Sequence, residues 1–327
     1  MLKTALVVLA SLVLMTGCAE AIGDDVESTE EALRPAAPLG EEPKGEATKY
    51  PLVLVHGFLG SADGFASFHA RIGEALVADG HDVHRVSLPP LGDVEIRSRA
   101  LAEQVDEILA RTGAEKVNLV AHSMGGLDAR VLVSTLGYGD RVASLTTIST
   151  PHRGSRIADV GLGFVSGAKD DALDSVAKLF GAKPEDADLV GALVDLAEKS
   201  ADAFNAAHPD DPRVYYQSWA GVSSVLAIPN RADRDACEGK LLAHPNRADH
   251  MHPLFVPGVA FVAHGKKPND GLVLVSSAKW GNFRGCIPAD HADEIGVFSR
   301  EPLDKHSGFD FVRFHRNVAF DLAARGF

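Results

Sequence analysis

Apolar positions along the chain alternate between two periods. Pro51-Leu52-Val53-Leu54-Val55 is a continuous apolar run, as expected of a strand covered on both faces. Ser61 to Asp79 predicts a helix closed by Gly80, and His81 to Pro89 another strand. Over Val94–Arg111 the period becomes helical, with Leu101, Val105, Ile108 and Leu109 on one face. Val117–His122 predicts a short buried strand, followed by a helix over about Gly125–Thr135 and a strand over Ala143–Ser149. Strands alternating with helices are the signature of a mostly parallel, doubly wound sheet, so the fold class is α/β.

The alternation breaks between Ser149 and Pro212. After a loop over Ser149–Ser155 come two amphipathic helical stretches. Leu173, Val176, Leu179 and Phe180 share one face of the first, and Leu189, Leu193 and Leu196 one face of the second. Such a helical insertion, at about residues 156–205, can act as a cap or lid, with Gly161, Gly163 and Gly167 as hinges. Val214–Trp219 resumes the sheet and Gly271–Val275 predicts its last strand. Ser307 or Asp310 can cap a final helix that buries Phe311, Phe314, Val318 and Leu322. Residues 228–267 carry the weakest pattern. Pro-Asn-Arg-Ala-Asp occurs there twice, at 229–233 and 245–249, and periodicity offers no reason for it. His244, His250 and His252 lie close together but lack the cysteine or carboxylate pattern of a zinc site.

Before Tyr50 the chain changes character. Met1-Leu2-Lys3 is a positive leader and Ala5–Met15 an apolar run too short to span a bilayer comfortably. Met15-Thr16-Gly17-Cys18 resembles a lipobox, whose cysteine becomes the lipidated first residue of the mature chain. Residues 1–18 are therefore read as a lipoprotein signal peptide. That implies export and a bacterial membrane as partner, through a lipid on Cys18. Ala19 favours the outer membrane, and secretion without an anchor is the alternative. Residues 19–48 hold nine acidic and two basic residues, with Pro35, Pro38 and Pro43, and are expected to form a flexible acidic tether. Residues 49–327 carry the globular pattern, and 46% hydrophobic content can bury a substantial core. A net charge of −13, with no basic stripe, argues against nucleic acid as a partner. Without Cys18 only Cys237 and Cys286 remain, and in an oxidising compartment a disulfide between them is the natural pairing.

The chemistry gathers around Ser123. Ala121 stands two before it and Gly125 two after, at the end of a predicted strand. This is the nucleophile-elbow arrangement, in which larger flanking side chains would collide across a tight turn. A serine alcohol needs a base to take its proton and an acid to hold that base, and in α/β-hydrolases the chain order is serine, acid, histidine. Asp270 lies in a turn at a sheet edge. His291 follows in a polar loop, His306 is a competing base, and His315 is a weaker one inside a helix. The oxyanion hole requires two backbone N–H groups: Met124 after the nucleophile, and Phe58 in the exit loop of the first strand, where Gly57 lets the backbone approach.

Several segments together resemble the bacterial true lipases, triacylglycerol hydrolases of the α/β-hydrolase superfamily. They are Tyr50–Gly60 (YPLVLVHGFLG), Val117–Gly126 (VNLVAHSMGG), Ser149–Ser155 (STPHRGS), Tyr216–Gly221 (YQSWAG), Asn269–Val273 (NDGLV) and His291–Ile295 (HADEI), in the family's order. The resemblance implies an α/β-hydrolase catalytic domain over 49–327 that hydrolyses acylglycerol esters presented at an interface. Ser123 would be the nucleophile, Asp270 the acid and His291 the base. It favours His291 over His306 because an aspartate, Asp293, follows two residues later and would ligate a calcium ion that braces the histidine loop. Asp233, with Asp235 as the alternative, would be the second calcium aspartate. No organic cofactor is implied. Secreted members often need a membrane-bound folding chaperone. The long 230–267 region, carrying Cys237, departs from the family and implies a differently placed disulfide. The same machinery also suits a soluble-ester esterase or a polyhydroxyalkanoate-type depolymerase. A non-catalytic lipoprotein on an inherited hydrolase fold is the remaining reading.

Overall fold

A computed structural model describes residues 35–63, 66–163, 187–263 and 267–327. The chain divides into units Met1–Pro35 and Ala36–Phe327, and the fold described is that of the second. The signal sequence with Cys18, the stretch Leu173–Phe180 and Gly167 lie outside the described residues.

Chain order is β1 (Leu52–Val55), α1 (Ala70–Ala78), β2 (Val83–Arg85), α2 (Val94–Thr112), β3 (Val117–His122), α3 (Gly125–Ser134), β4 (Val142–Ile148), α4 (Arg156–Gly161), α5 (Ala187–Leu196), α6 (Glu198–Ala207), β5 (Tyr215–Gly221), α7 (Arg231–Ala236), α8 (Val256–Ala263), α9 (Val275–Ala278), β6 (Asn282–Ile287) and α10 (Phe311–Ala324). The strands form one sheet in the order β2-β1-β3-β4-β5-β6, with every pairing parallel. Strand alternation explains the unbroken apolar runs. Leu52 and Leu54 pack with Ile72 and Leu76 of α1 and Phe314 and Leu322 of α10. Val53 and Val55 face the other way, onto Leu101 and Val105 of α2 and Leu132 of α3. Both faces are dry, so neither set of positions is polar. The chain winds outward from β1 to β2, then returns to β3 on the other side of β1. Loops leaving the carboxyl ends of β1 and β3 therefore diverge and leave a crevice, the place where doubly wound sheets bind ligands.

Three segments differ from their expected form. The expected last strand at Gly271–Val275 is a turn leading into α9, and the last strand is β6. The Asp270 carboxylate accepts the N–H groups of Leu272 (2.9 Å) and Val273 (2.7 Å), which bends the backbone away from extension. The expected helix from Ser61 starts only at Ala70, with His69 as its N-cap. Residues 36–48, read as free tether, lie along the body instead. Ala36 N–H donates to Lys305 O and Leu39 N–H to Gly308 O, both at 2.8 Å. Arg313 of α10 donates to the carbonyls of Gly40 (2.9 Å) and Glu41 (3.0 Å) and pairs with Glu42 at 2.8 Å. Composition does not register backbone acceptors that a distant arginine can hold.

Asp310, of the two capping candidates, starts α10, accepting from Arg313 N–H at 2.9 Å. The two Pro-Asn-Arg-Ala-Asp copies adopt different backbones. In the first, Asn230 caps α7 by accepting from Ala232 N–H; the second lies outside any helix.

Cys237 and Cys286 are disulfide-bonded. Beside the bond, Leu242 N–H donates to Cys286 O and Cys286 N–H to Lys240 O, both at 2.9 Å, so this segment covers the edge of β6. The bridge closes a 49-residue separation, for which chain entropy gives about 4 kcal/mol. Cys237→Ser/Cys286→Ser is expected to melt roughly 10 °C lower by calorimetry; an unchanged melting temperature would mean the bridge constrains nothing.

Candidate active site

The carboxyl end of β3 turns sharply into α3, and Ser123 occupies the turn with φ +54°. A left-handed conformation costs a non-glycine residue about 1–2 kcal/mol, so packing must impose it. The crowding is visible on both sides. A Cβ at Gly125 would stand 2.6 Å from His56 O, and one at Gly57 would stand 2.7 Å from Ser123 Cβ. The loop after β1 thus rests directly against the elbow, with no room for a side chain at either position. Met124 is fully buried at the amino end of α3, and Phe58 lines the cavity over Ser123.

Three side chains from separate elements meet here. Ser123 Oγ lies 2.8 Å from His291 Nε2, and His291 Nδ1 lies 2.8 Å from Asp270 Oδ2. His291 N–H also donates to Asp270 O at 3.0 Å, which ties the histidine loop to the Asp270 turn. Burial raises the Asp270 carboxyl, but the charge of His291 and hydrogen bonds from His291, Val273 and Leu272 outweigh it and hold it below its ordinary value. The competing histidines stand elsewhere. His306 is exposed on the 304–307 turn, and His315 is buried in α10 with Nδ1 on Phe311 O at 2.7 Å.

The cavity over Ser123 is lined by apolar side chains, among them Phe58, Ile157, Leu193, Leu196, Leu254 and Val273. Leu193 and Leu196 come from α5 in the insertion, as their helical spacing predicts. Asp195 on the same helix accepts from Val94 N–H at 2.8 Å, which pins α5 to the start of α2.

Behind the histidine lies a second group of acids. Asp249, Asp290 and Asp293 bring carboxylate oxygens within 4.8 Å of one another. Burial, followed by the Asp290 charge, pushes Asp293 up to about 7 and Asp249 well above the usual range. Asp249 Oδ2 is buried with no hydrogen-bond partner. Clustered, desolvated oxygens with an orphaned acceptor fit a hard cation such as calcium. Asp233 and Asp235 are not part of this cluster. Asp233 lies in the first turn of α7, where burial alone raises it to about 6, and the second copy of the repeat supplies Asp249 instead. The expected Asp293 is present; the expected partner is not. His244, His250 and His252 form no metal-binding group among the described residues.

A family model described as alpha/beta hydrolase fold matches residues 50–227. The chain belongs to the α/β-hydrolase family. A triacylglycerol lipase of Vibrio cholerae serotype O1 is 30% identical over 297 residues, covering 83% of this hydrolase and 87% of that protein. One from Pseudarthrobacter phenanthrenivorans is 34% identical over 294 residues, covering 76% and 89%. Among solved structures, a metagenomic carboxyl esterase, MGS0156, superposes with a TM-score of 0.62 at 17% identity, covering 92% of the hydrolase and 89% of that chain. At that identity it shows the shared fold alone.

A further polar group beside the triad, Glu294, has little signal in the sequence. Glu294 is fully buried, with Oε2 3.0 Å from His122 Nε2 and Oε1 accepting from Ser149 Oγ at 2.5 Å. Ser149 Oγ in turn accepts from Gly221 N–H at 2.9 Å. Burial, followed by the Asp270 charge, pushes Glu294 well above the usual carboxylate range. The chain fastens the residue before Ser123 to the loop after His291. Its signal in sequence is only an acid three residues beyond a histidine, which many surface loops share.

Proposed function

We propose that this carboxylic ester hydrolase is a triacylglycerol lipase working through an acyl-enzyme on Ser123. The hydrogen-bonded series Ser123–His291–Asp270 on a strained elbow is the observation that carries the reading. Ser123 Oγ attacks the ester carbonyl while His291 Nε2 takes its proton. The Met124 and Phe58 N–H groups receive the developing oxyanion, and Asp270 stabilises the imidazolium through Nδ1. His291 returns the proton to the leaving alkoxide. Water, deprotonated by His291, then releases the fatty acid and restores Ser123. The apolar cavity supports a long acyl chain, and Leu193 and Leu196 of the insertion support a cap that meets lipid. Hydrolysis of emulsified triolein against dissolved p-nitrophenyl butyrate tests the assignment. Preference for the emulsion is expected, and activity confined to the dissolved ester would make the chain an esterase.

Asp249, Asp290 and Asp293 support calcium as the structural ion. Asp249, Asp290 and Asp293 would hold the ion, whose two positive charges would offset most of theirs and brace the His291 loop. At about 100-fold saturation such an ion contributes about 2.7 kcal/mol. EDTA is therefore expected to lower the melting temperature by roughly 5–10 °C, with recovery on adding calcium. An unchanged melting temperature would remove the ion from the mechanism. The leader ending at Cys18 supports export with a lipid on that cysteine. Mass spectrometry of the mature amino terminus tests this, and an unmodified terminus would remove the anchor.

A further inference from the structure

The buried ion pair Arg97–Asp128 stands outside the triad, yet it touches both halves of the oxyanion site. Neither side chain has any exposure, and Arg97 Nε donates to Asp128 Oδ2 at 2.8 Å. The rest of the guanidinium is committed to backbone. Nη1 donates to Pro89 O at 2.8 Å, and Nη2 donates to His56 O at 2.9 Å and Gly57 O at 3.2 Å. A planar fork of this kind fixes direction as well as distance, which an ammonium group does not.

Gly57 O is held from a second side. Leu88 N–H donates to His56 Nε2 at 2.9 Å, so the ring proton sits on Nδ1, which donates to Gly57 O at 2.8 Å. Burial, followed by the Arg97 charge, holds His56 down at about 4, so the ring stays neutral near pH 7. The peptide joining Gly57 to Phe58 is planar, with its C=O and N–H pointing in opposite directions. Clamping the Gly57 carbonyl toward Arg97 and His56 therefore aims the Phe58 N–H away from them, and Phe58 lines the cavity at Ser123. The other end of the clamp is Asp128, in the first turn of α3, whose N–H donates to Met124 O at 3.1 Å. One ion pair thus joins the loop bearing the first donor to the helix bearing the second.

We propose that Arg97, anchored by Asp128, is a positioning residue that sets the direction and spacing of the Phe58 and Met124 oxyanion donors. The proposal rests on the ester-hydrolase reading and goes beyond it, because a merely structural arginine would change stability and leave per-site turnover alone.

Losing one oxyanion donor outright costs roughly a hundredfold or more in kcat, so misaiming one is expected to cost about tenfold or more. Two variants test this. Arg97→Lys keeps the charge and loses the fork, whereas Arg97→Met/Asp128→Leu removes the clamp without leaving a buried charge unpaired. Each is assayed with p-nitrophenyl butyrate, using active sites counted by fluorophosphonate titration, and for inhibition by butylboronic acid, a mimic of the tetrahedral adduct. The expected result is a fall in per-site kcat of about tenfold or more. KM should stay within about twofold, and boronate affinity should fall in parallel with kcat. Per-site kcat and boronate affinity within about twofold of wild type in either folded variant would overturn the proposal. If neither variant folds, a crystal structure of the wild type with the boronate decides. Both donors within about 3.1 Å of the boronate oxygen, with Gly57 O still on Arg97, supports the proposal; a loop that has left Arg97 overturns it. An inactive wild type, or an active Ser123→Ala variant, would remove the hydrolase reading itself. An active wild type beside an equally active Arg97→Lys removes only this inference.

Discussion

Replacing Ser123 by alanine is expected to lower kcat for any ester substrate by about 10⁵-fold or more while the protein stays folded. Among the described residues, one hydroxyl is placed to serve His291. Nε2 meets Ser123 Oγ at 2.8 Å, and the other serines nearby are already committed. Ser149 Oγ donates to Glu294 and Ser155 Oγ to Leu272 O, at 2.5 and 2.6 Å. Ser149 also follows a strand with a left-handed backbone, φ +45°, but its hydroxyl is held between Glu294 and Gly221 N–H and does not reach His291. Initial rates on p-nitrophenyl butyrate at equal folded concentration measure the effect. A loss below about a hundredfold would mean the nucleophile is elsewhere.

Asp270→Asn is expected to cost about 10⁴ in kcat with little change in structure. The reason lies in the turn that the sequence disguises as a strand. Asp270 Oδ1 accepts from two backbone N–H groups, those of Leu272 and Val273, and Oδ2 faces His291 Nδ1. An asparagine must turn its carbonyl oxygen toward the two backbone donors. Its amide nitrogen then faces Nδ1 as a donor, so Nδ1 must accept and Nε2 must carry the ring proton. A histidine protonated at Nε2 cannot take the proton of Ser123. The predicted signature is a large kcat loss with the thermal melt nearly unchanged, plus partial recovery at high pH, where serine ionisation is assisted by hydroxide. Activity within about tenfold of wild type would mean that Asp270 does not orient the histidine, with buried Glu294 the first alternative to examine.

Much of this arrangement is legible in the sequence because it rests on local sterics. Gly125, two positions after Ser123, and Gly57, where the β1 loop touches the elbow, are required because a Cβ at either would meet its neighbours under 3 Å away. The unbroken apolar run of β1 follows from burial on both sheet faces. The misread parts depend on polar contacts, near or far in sequence, that hydrophobic pattern does not register. Gly271–Val275 has the composition of a strand, and only the Asp270 carboxylate capturing two N–H groups makes it a turn. Asp249 is 41 positions before Asp290 in a repeated pentapeptide, and nothing local distinguishes it from Asp233 in the other copy. Residues 36–48 look unpartnered because their partner, Arg313, is near the opposite end of the chain. Arg97 reads as one more charge on an amphipathic helix, although all of it is buried.

The most direct test of the central claim is covalent. Pure protein treated with a fluorophosphonate and mapped by peptide mass spectrometry is expected to carry one adduct per chain, on Ser123, with labelling lost in Ser123→Ala and strongly slowed in Asp270→Asn. No adduct on the folded wild type, or an adduct on another residue, would contradict the assignment of Ser123 as an activated nucleophile.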